Sequence, residues 1–193
     1  MTITLFYSPH MTSVDNEAGR ASGHADIPLS ARGKQEAERL GQQYAQEAVD
    51  VVFCSDLQRA TVTAQIAFSA RNVPIILDAR LRECDYGEWT QRPRTEIKFE
   101  EHITEPFPGG ESIVMVARRV RDFLQYVLEN YDGKRVVVIA HAAAKYALEY
   151  WSGDASLEEV IAVPWEWLDV PIWRYEFTLP LRKSNFAQNE FAS

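Results

Sequence analysis

The sequence predicts a single α/β domain, a three-layer sandwich in which helices flank a mostly parallel sheet. Short β-branched and aromatic segments alternate with longer amphipathic segments along the chain, which is typical of this class. Residues 135–140 (RVVVIA) form an uninterrupted apolar run, as expected for a buried central strand. The length of 193 residues, with 46% hydrophobic and 25% charged side chains, suits one core, so residues 1–193 are assigned to one domain.

The predicted strands are short and rich in β-branched or aromatic residues. The first strand, residues 2–7, opens the chain with the sequence TITLFY. Four further strands are predicted at residues 51–54, 75–77, 135–140 and 173–179.

Four helices are predicted between these strands, each from an apolar pattern of helical period. Residues 30–46 follow Ser30, a plausible N-cap, and residues 113–131 are capped near Ser112. The remaining two helices are residues 57–69, capped by Ser55 or Asp56, and residues 142–151.

Three segments have no regular pattern. Residues 8–28 are polar and predict a long loop, which in a compact domain is usually functional. Residues 93–108 are predicted to be mostly irregular with at most a short helix, and the polar tail after Arg182 to be loosely held.

Composition excludes several classes of function. The formal net charge is −8 and no basic stripe is visible, which argues against a nucleic-acid partner. No apolar run approaches the roughly 20 residues that span a bilayer, so no membrane partner is predicted. The two cysteines lie far apart and do not indicate a disulfide framework. The first segment resembles a strand more than a signal peptide. Both observations favour a cytoplasmic protein. No cluster has metal-ligand spacing, so no metal or cofactor is predicted.

Polar residues follow three of the predicted strands. His10 comes three residues after the first strand, residues 55–59 follow the second, and His141 directly follows the central one. Ligands of parallel sheets bind beyond the carboxyl ends of the strands. The three groups are therefore predicted to converge on one edge of the sheet.

The two histidines suit phosphoryl transfer. A neutral imidazole can attack phosphorus and form a phosphohistidine, while a second, protonated imidazole holds the transferred oxygens. Either histidine taken alone is better explained by a loop or core position. The pair at one sheet edge favours the functional interpretation for His10 and His141.

Arg59 and Glu83 are the other candidates for chemistry. A guanidinium offers phosphate a rigid fork, although Arg59 taken alone is better explained as a surface arginine in a capped helix. A carboxyl at Glu83 would protonate a leaving oxygen, but Asp85 and Glu88 lie nearby and the spacing does not choose among them.

Two further segments have a structural and a ligand-binding interpretation. Residues 108–112 (PGGES) predict either a turn and an N-cap, with Glu111 in the first helical turn, or a ligand contact. The aromatic group Trp165, Trp167 and Trp173 favours a C-terminal core over a ligand cage.

Taken in order, these motifs resemble those of the histidine phosphatase superfamily, also called the phosphoglycerate mutase-like family. That family opens with Arg-His-Gly, where this chain has SPHMTSVDN followed by GHADIPLSARG. Its later motifs are matched by Ser55, Arg59 and Ala60, by Leu81, Glu83, Gly87 and Trp89, by residues 108–112, and by the strand that ends at His141.

The resemblance implies a phosphoglycerate mutase-like fold and a catalytic core on a small phosphorylated substrate. His10 is the implied nucleophile, Glu83 the proton donor, and Arg59 and His141 phosphate ligands. Ser13 and Asn16 hold positions that help to bind the phosphoryl group in the family. Arg20, in the same loop, and Ala142, directly after the second histidine, are further candidates for the phosphate site. The short stretch between Trp89 and Gly109 is similar to the small phosphatase branch, and no metal or organic cofactor is implied.

The chain departs from the family at the first motif. Pro9 and Met11 stand where the family has arginine and glycine, and Ala142 replaces the glycine after the second histidine. Proline supplies neither charge nor a backbone donor, and losing one transition-state donor costs roughly a hundred- to thousand-fold in rate. The candidates for a compensating cation are Arg20, Arg82 and Lys145.

Three hypotheses follow. The favoured one is a phosphatase of small phosphomonoesters acting through a phosphohistidine on His10. The others are a non-catalytic relative that binds an anionic ligand or a protein partner, and a mutase.

Substrate specificity is predicted to lie in residues 12–26, residues 89–108 and the helix after His141. An apolar rim is predicted from Met11, Tyr86, Trp89 and Phe107, and a homodimer from an exposed C-terminal aromatic surface.

Overall fold

The computed structural model describes residues 1–163 and 170–181 and has a five-stranded sheet at its centre. The strands are β1 (Thr2–Pro9), β2 (Val51–Cys54), β3 (Ile75–Leu77), β4 (Arg135–Ala140) and β5 (Trp173–Thr178). Their order is β3-β2-β4-β1-β5, with the first four parallel and β5 antiparallel to β1. The mostly parallel sheet is therefore confirmed.

Helices cover both faces of this sheet. They are α1 (Val14–Glu17), α2 (Ala31–Tyr44), α3 (Gln58–Ala67), α4 (Ile113–Asn130), α5 (Ala142–Ser152) and α6 (Leu157–Ala162). Successive side chains of a strand point to opposite faces. Accordingly Val136 and Val138 pack in the cluster that contains α4 and α5, whereas Val137 and Ile139 pack with α2 and α3. This alternation produces the predicted three layers.

Two predicted helix caps are present and one is wrong. The hydroxyl of Ser30 accepts from the Gly33 N–H, and that of Ser112 from the Met115 N–H. Helix α3 instead starts after Leu57 and has no side-chain cap. Asp56 cannot serve there because its carboxylate binds Arg82 at 2.6 Å.

The first strand is longer than predicted. Ser8 and Pro9 still pair with Ile139 and Ala140, and the His10 N–H donates to the Ala140 carbonyl at 2.8 Å. His10 therefore directly follows the strand instead of lying three residues beyond it. The reason is that pairing with the buried strand β4 outweighs the polar character of this segment.

The segments predicted as irregular also contain short elements, of which only a short helix within residues 93–108 was predicted. The segment 8–28 contains α1, and the segment 93–108 contains 3₁₀ turns at Arg94–Glu96 and Phe99–Glu101. Glu111 precedes the N-cap of α4 instead of lying in its first turn, because Ser112 caps the helix. The Glu111 carboxylate pairs with Arg119 at 3.0 Å.

The predictions for Trp165, Trp167 and the tail after Arg182 lie outside the described residues. Trp173 is within them and packs against the core, with its ring centroid 5.8 Å from that of Tyr7. In the part of the chain that the structure describes, no helix is long and apolar enough to cross a bilayer.

Gly33 allows α2 to contact the loop after His10. A Cβ built at Gly33 would lie 2.0 Å from the Thr12 carbonyl oxygen, which is backbone and cannot move aside cheaply. We expect Gly33→Ala to lower the free energy of unfolding by roughly 1–3 kcal/mol, measured by urea denaturation. Gly153→Ala is the matched control, because nothing lies within 4 Å of a Cβ there. Equal midpoints for the two variants would contradict this packing argument.

Candidate active site

A pocket of about 210 Å³ opens beyond the carboxyl ends of β1 and β4. His10, Arg59, Glu83 and His141 all line it, although they come from four distant parts of the chain. The imidazole centroids of His10 and His141 are 5.0 Å apart, with 55° between the ring planes. The structure thus brings together the four residues that sequence analysis placed in the catalytic core.

The contacts of His10 leave one ring nitrogen available for attack. Its Nδ1 lies 2.8 Å from the Met11 carbonyl oxygen, and since that oxygen only accepts, Nδ1 carries the proton. The lone pair therefore lies on Nε2. Burial, followed by the charge of Arg59, lowers the pKa of His10 to about 3, so the imidazole is neutral at physiological pH.

His141 is fully buried where β4 passes into α5. Neither of its ring nitrogens has a hydrogen-bond partner among the described residues, and such a buried polar group costs roughly 1–3 kcal/mol. Burial and the charge of Arg59 lower its pKa well below the usual value. A bound oxyanion would satisfy a ring N–H and favour the protonated ring, which makes His141 suited to hold phosphate.

Arg59 is only 1% exposed and also fixes the adjoining loop. Its Nη1 donates to the Ala25 carbonyl and its Nη2 to the Gly23 carbonyl, each at 2.8 Å. The Nε–H has no partner among the described residues. The guanidinium therefore keeps part of its donor fork for a ligand while it anchors the loop.

Of the three candidate carboxylates, only Glu83 lines the pocket. Its Oε1 accepts from the backbone N–H groups of Cys84 at 2.9 Å and Ala143 at 3.1 Å. These two donors fix the carboxyl against α5 and leave Oε2 to exchange a proton with a ligand. Asp85 instead accepts from the Gly87 N–H, within the turn that follows.

The secondary phosphate ligands are only partly in the predicted place. Asn16, Arg20 and Ala142 line the pocket, whereas Ser13 lies outside its lining. The Ser13 hydroxyl accepts a hydrogen bond from the Asn16 N–H and caps α1, so its role in the structure is that of a helix cap. The segment 108–112 also lies outside the lining and forms the turn and cap.

The candidates for a compensating cation are mostly engaged elsewhere. Arg82 pairs with Asp56 and Lys145 with Glu149, and neither lines the pocket. Arg20 does line it, but its Nε and Nη2 both donate to Asp15.

Arg94 is a charged residue of the pocket that no sequence pattern indicated. The predicted apolar rim is largely wrong. Met11 and Phe107 are buried in the core and Trp89 packs against it, so of the four predicted rim residues only Tyr86 lines the pocket. The apolar wall instead comprises Tyr86, Ile97, Phe99, Tyr146 and Ile161. Tyr86, Ile97 and Phe99 lie in or beside 3₁₀ turns, which have no sequence period, whereas Tyr146 and Ile161 lie on α5 and α6.

The buried histidines predict a loss of stability in acid. An unfolded chain protonates them near the usual pKa of 6.5, while folding holds the pKa of His10 at about 3. The stability is thus fully present above pH 6.5 and is lost as the pH falls toward 3. For His10 alone, urea denaturation should show the free energy of unfolding decreasing by about 2 kcal/mol between about pH 7.5 and about pH 5. In the His10→Asn variant, the free energy of unfolding should depend less steeply on pH. An unchanged dependence would contradict a buried, neutral His10 ring.

Comparisons with known proteins show which family the chain is similar to. The family described as "histidine phosphatase superfamily (branch 1)" matches residues 10–175. Phosphoserine phosphatase 1 of Hydrogenobacter thermophilus is 33% identical over 156 residues, 76% of this chain and 74% of that protein. The probable phosphoglycerate mutase GpmB of Erwinia tasmaniensis is 32% identical over 145 residues, 70% and 67% of the two chains. A mycobacterial glucosyl-3-phosphoglycerate phosphatase solved with VO3 has a TM-score of 0.77 at 25% identity, covering 83% of this chain and 87% of that one.

Proposed function

Because the chain belongs to the histidine phosphatase superfamily (branch 1), we propose that it hydrolyses small phosphomonoesters through a phosphohistidine on His10. Its sheet and flanking helices have the phosphoglycerate mutase-like fold. The observation that carries the proposal is the 5.0 Å separation of two buried imidazoles beside Arg59 and Glu83.

In the first step the Nε2 lone pair of His10 attacks phosphorus. The P–N bond forms as the P–O ester bond breaks, and the leaving oxygen takes the proton of the Glu83 carboxyl and departs as an alcohol. Arg59 and His141 hold the equatorial oxygens, where charge accumulates in the transition state.

In the second step water replaces the alcohol. The Glu83 carboxylate removes a proton from water as its oxygen attacks phosphorus, and the P–N bond breaks with its electron pair returning to Nε2. Inorganic phosphate leaves, and both residues return to their starting states.

The direct test is to trap the phosphoenzyme. The protein is mixed with a radiolabelled aryl phosphate, quenched in alkali within milliseconds, and digested for mass spectrometry. Label that survives alkali, is released by acid and maps to His10 is expected, because phosphoramidates have this stability. Turnover without such label, or label on another residue, would contradict the covalent mechanism.

We also propose that no metal ion takes part, since the cationic role is assigned to arginine side chains. Among residues 1–163 and 170–181, no cluster of His, Cys, Asp and Glu side chains suits a metal. Hydrolysis should therefore continue unchanged after dialysis against EDTA, and restoration of a lost rate by a divalent cation would refute this part of the proposal.

Binding without turnover is the second candidate function, and Pro9 at the pocket wall favours it. Vanadate binding with no phosphate release from any phosphomonoester would support it. A mutase is the third, since one relative is named a probable phosphoglycerate mutase. A requirement for a bisphosphate primer would identify that activity.

A further inference from the structure

The carboxyl of Glu83 is held partly by its own peptide group. Its Oε1 accepts from the Cys84 N–H at 2.9 Å, and this N–H belongs to the same peptide as the Glu83 carbonyl. A peptide group is planar, so a contact that orients the carbonyl also orients the N–H on its opposite side. The other donor to Oε1 is the Ala143 N–H at the start of α5. The direction of the carboxyl therefore depends on what binds the Glu83 carbonyl.

Two side chains bind that carbonyl. The His24 Nε2 and the Arg119 Nη2 each lie 2.8 Å from its oxygen, and since a carbonyl oxygen only accepts, His24 donates through Nε2–H. Arg119 also binds the Glu111 carboxylate and two further carbonyls, so it holds several segments of the chain together. The hydrogen bond from His24 is therefore the one that can be removed with less disturbance of the fold.

His24 is the middle residue of a tripeptide that Arg59 holds. The Arg59 guanidinium donates to the carbonyls of Gly23 and Ala25, on either side of His24, at 2.8 Å each. Gly23 lines the pocket, whereas the half-buried ring of His24 lies outside the lining. The tripeptide thus connects the proposed phosphate ligand Arg59 with the peptide that orients the Glu83 carboxyl.

The charged neighbours of His24 offer a different explanation for its position. Its Nδ1 lies 3.6 Å from a carboxylate oxygen of Asp85, and its Nε2 lies 3.9 Å from one of Glu111. Both distances exceed that of a normal hydrogen bond, whereas the 2.8 Å contact with the Glu83 carbonyl does not. Glutamine at position 24 would keep an N–H donor without an ionisable group, so it separates the two explanations.

We propose that His24 is a positioning residue for the proton donor. Its hydrogen bond to the Glu83 carbonyl orients the peptide between Glu83 and Cys84, and the Cys84 N–H then orients the carboxyl that exchanges a proton with the leaving oxygen. The inference rests on the proposed function, because it takes Glu83 as the general acid and base. Loss of His24 weakens proton transfer and leaves phosphate binding by Arg59 and His141 in place.

The test compares His24→Ala and His24→Gln with the unaltered protein on an alkyl phosphate and on a nitrophenyl phosphate. His24→Ala is also combined with Glu83→Gln, and affinity for orthovanadate is measured by isothermal titration calorimetry. Arg92→Ala is the control, because that exposed guanidinium lies 5.0 Å over the Trp89 ring and outside the pocket lining. The NMR resonance of the isotope-labelled Glu83 carboxyl carbon, identified by its absence in Glu83→Gln, reports on the carboxyl without turnover.

We expect His24→Ala to lower kcat for the alkyl phosphate by about 3- to 10-fold, the usual effect of losing one hydrogen bond. The KM, the vanadate affinity and the rate with the nitrophenyl ester should stay nearly unchanged. His24→Gln should keep most of the alkyl rate, and His24→Ala should have no further effect when Glu83 is already glutamine. The Glu83 resonance should shift in His24→Ala but not in Arg92→Ala.

Three results would overturn the inference. They are equal slowing of the two esters by His24→Ala, an undiminished effect of His24→Ala when combined with Glu83→Gln, and a rate for His24→Gln as low as that of His24→Ala. If the unaltered protein hydrolysed no phosphomonoester, the proposed function would be wrong, and the resonance would decide the inference by itself. A shift in His24→Ala would then support the link from His24 to the Glu83 carboxyl, and an unshifted resonance would refute it.

Discussion

Replacing His10 with alanine is expected to lower kcat by roughly 10⁴- to 10⁶-fold, the scale seen when a covalent nucleophile is removed. The expectation follows from the geometry of the ring. Its Nδ1 is held by the Met11 carbonyl at 2.8 Å, so Nε2 is the nitrogen that keeps a lone pair for attack. Steady-state hydrolysis of an aryl phosphate and the trapped label should disappear together.

Chemical rescue separates loss of the nucleophile from loss of the fold. In His10→Gly, free imidazole can occupy the vacated space and attack the bound ester, so the rate should rise with imidazole concentration. Retained vanadate binding would show that Arg59 and His141 still form the site. Residual activity of His10→Ala within about tenfold of the unaltered protein would exclude His10 as the nucleophile.

The second large effect is expected for Glu83→Gln. Glutamine keeps an oxygen that accepts from the Cys84 and Ala143 N–H groups, at 2.9 and 3.1 Å in the native site, but it has no proton to give. Loss of a general acid costs roughly 10²- to 10⁴-fold. The full loss should appear with an alkyl phosphate, whose leaving oxygen needs a proton, and a much smaller one with a nitrophenyl phosphate.

The dependence on the leaving group is the decisive readout. Glu88→Gln is the matched control, because Glu88 lies in the same acidic segment but outside the pocket lining. It should alter neither substrate. If Glu83→Gln slowed the alkyl and the nitrophenyl ester equally, Glu83 would be a positioning residue and not the proton donor.

The sequence determined the sheet and most of its flanking helices. Residues 136–140 are apolar on both faces, which favours a buried strand, and the predicted bounds 135–140 are those of β4. Ser30 and Ser112 marked their helix starts because a side-chain cap is a local interaction within a few residues. The convergence of His10, Arg59 and His141 followed from one rule about the carboxyl ends of parallel strands.

Only the tertiary structure decided how the pocket is completed. Local spacing could not choose among Glu83, Asp85 and Glu88, and the choice depends on an N–H of Ala143, sixty positions further along the chain. Arg94 was missed because its place depends on a backbone contact with Gly19 and not on any local pattern. Interactions within one turn or one strand can be read from neighbouring residues, whereas contacts between distant loops depend on how the chain closes around its core.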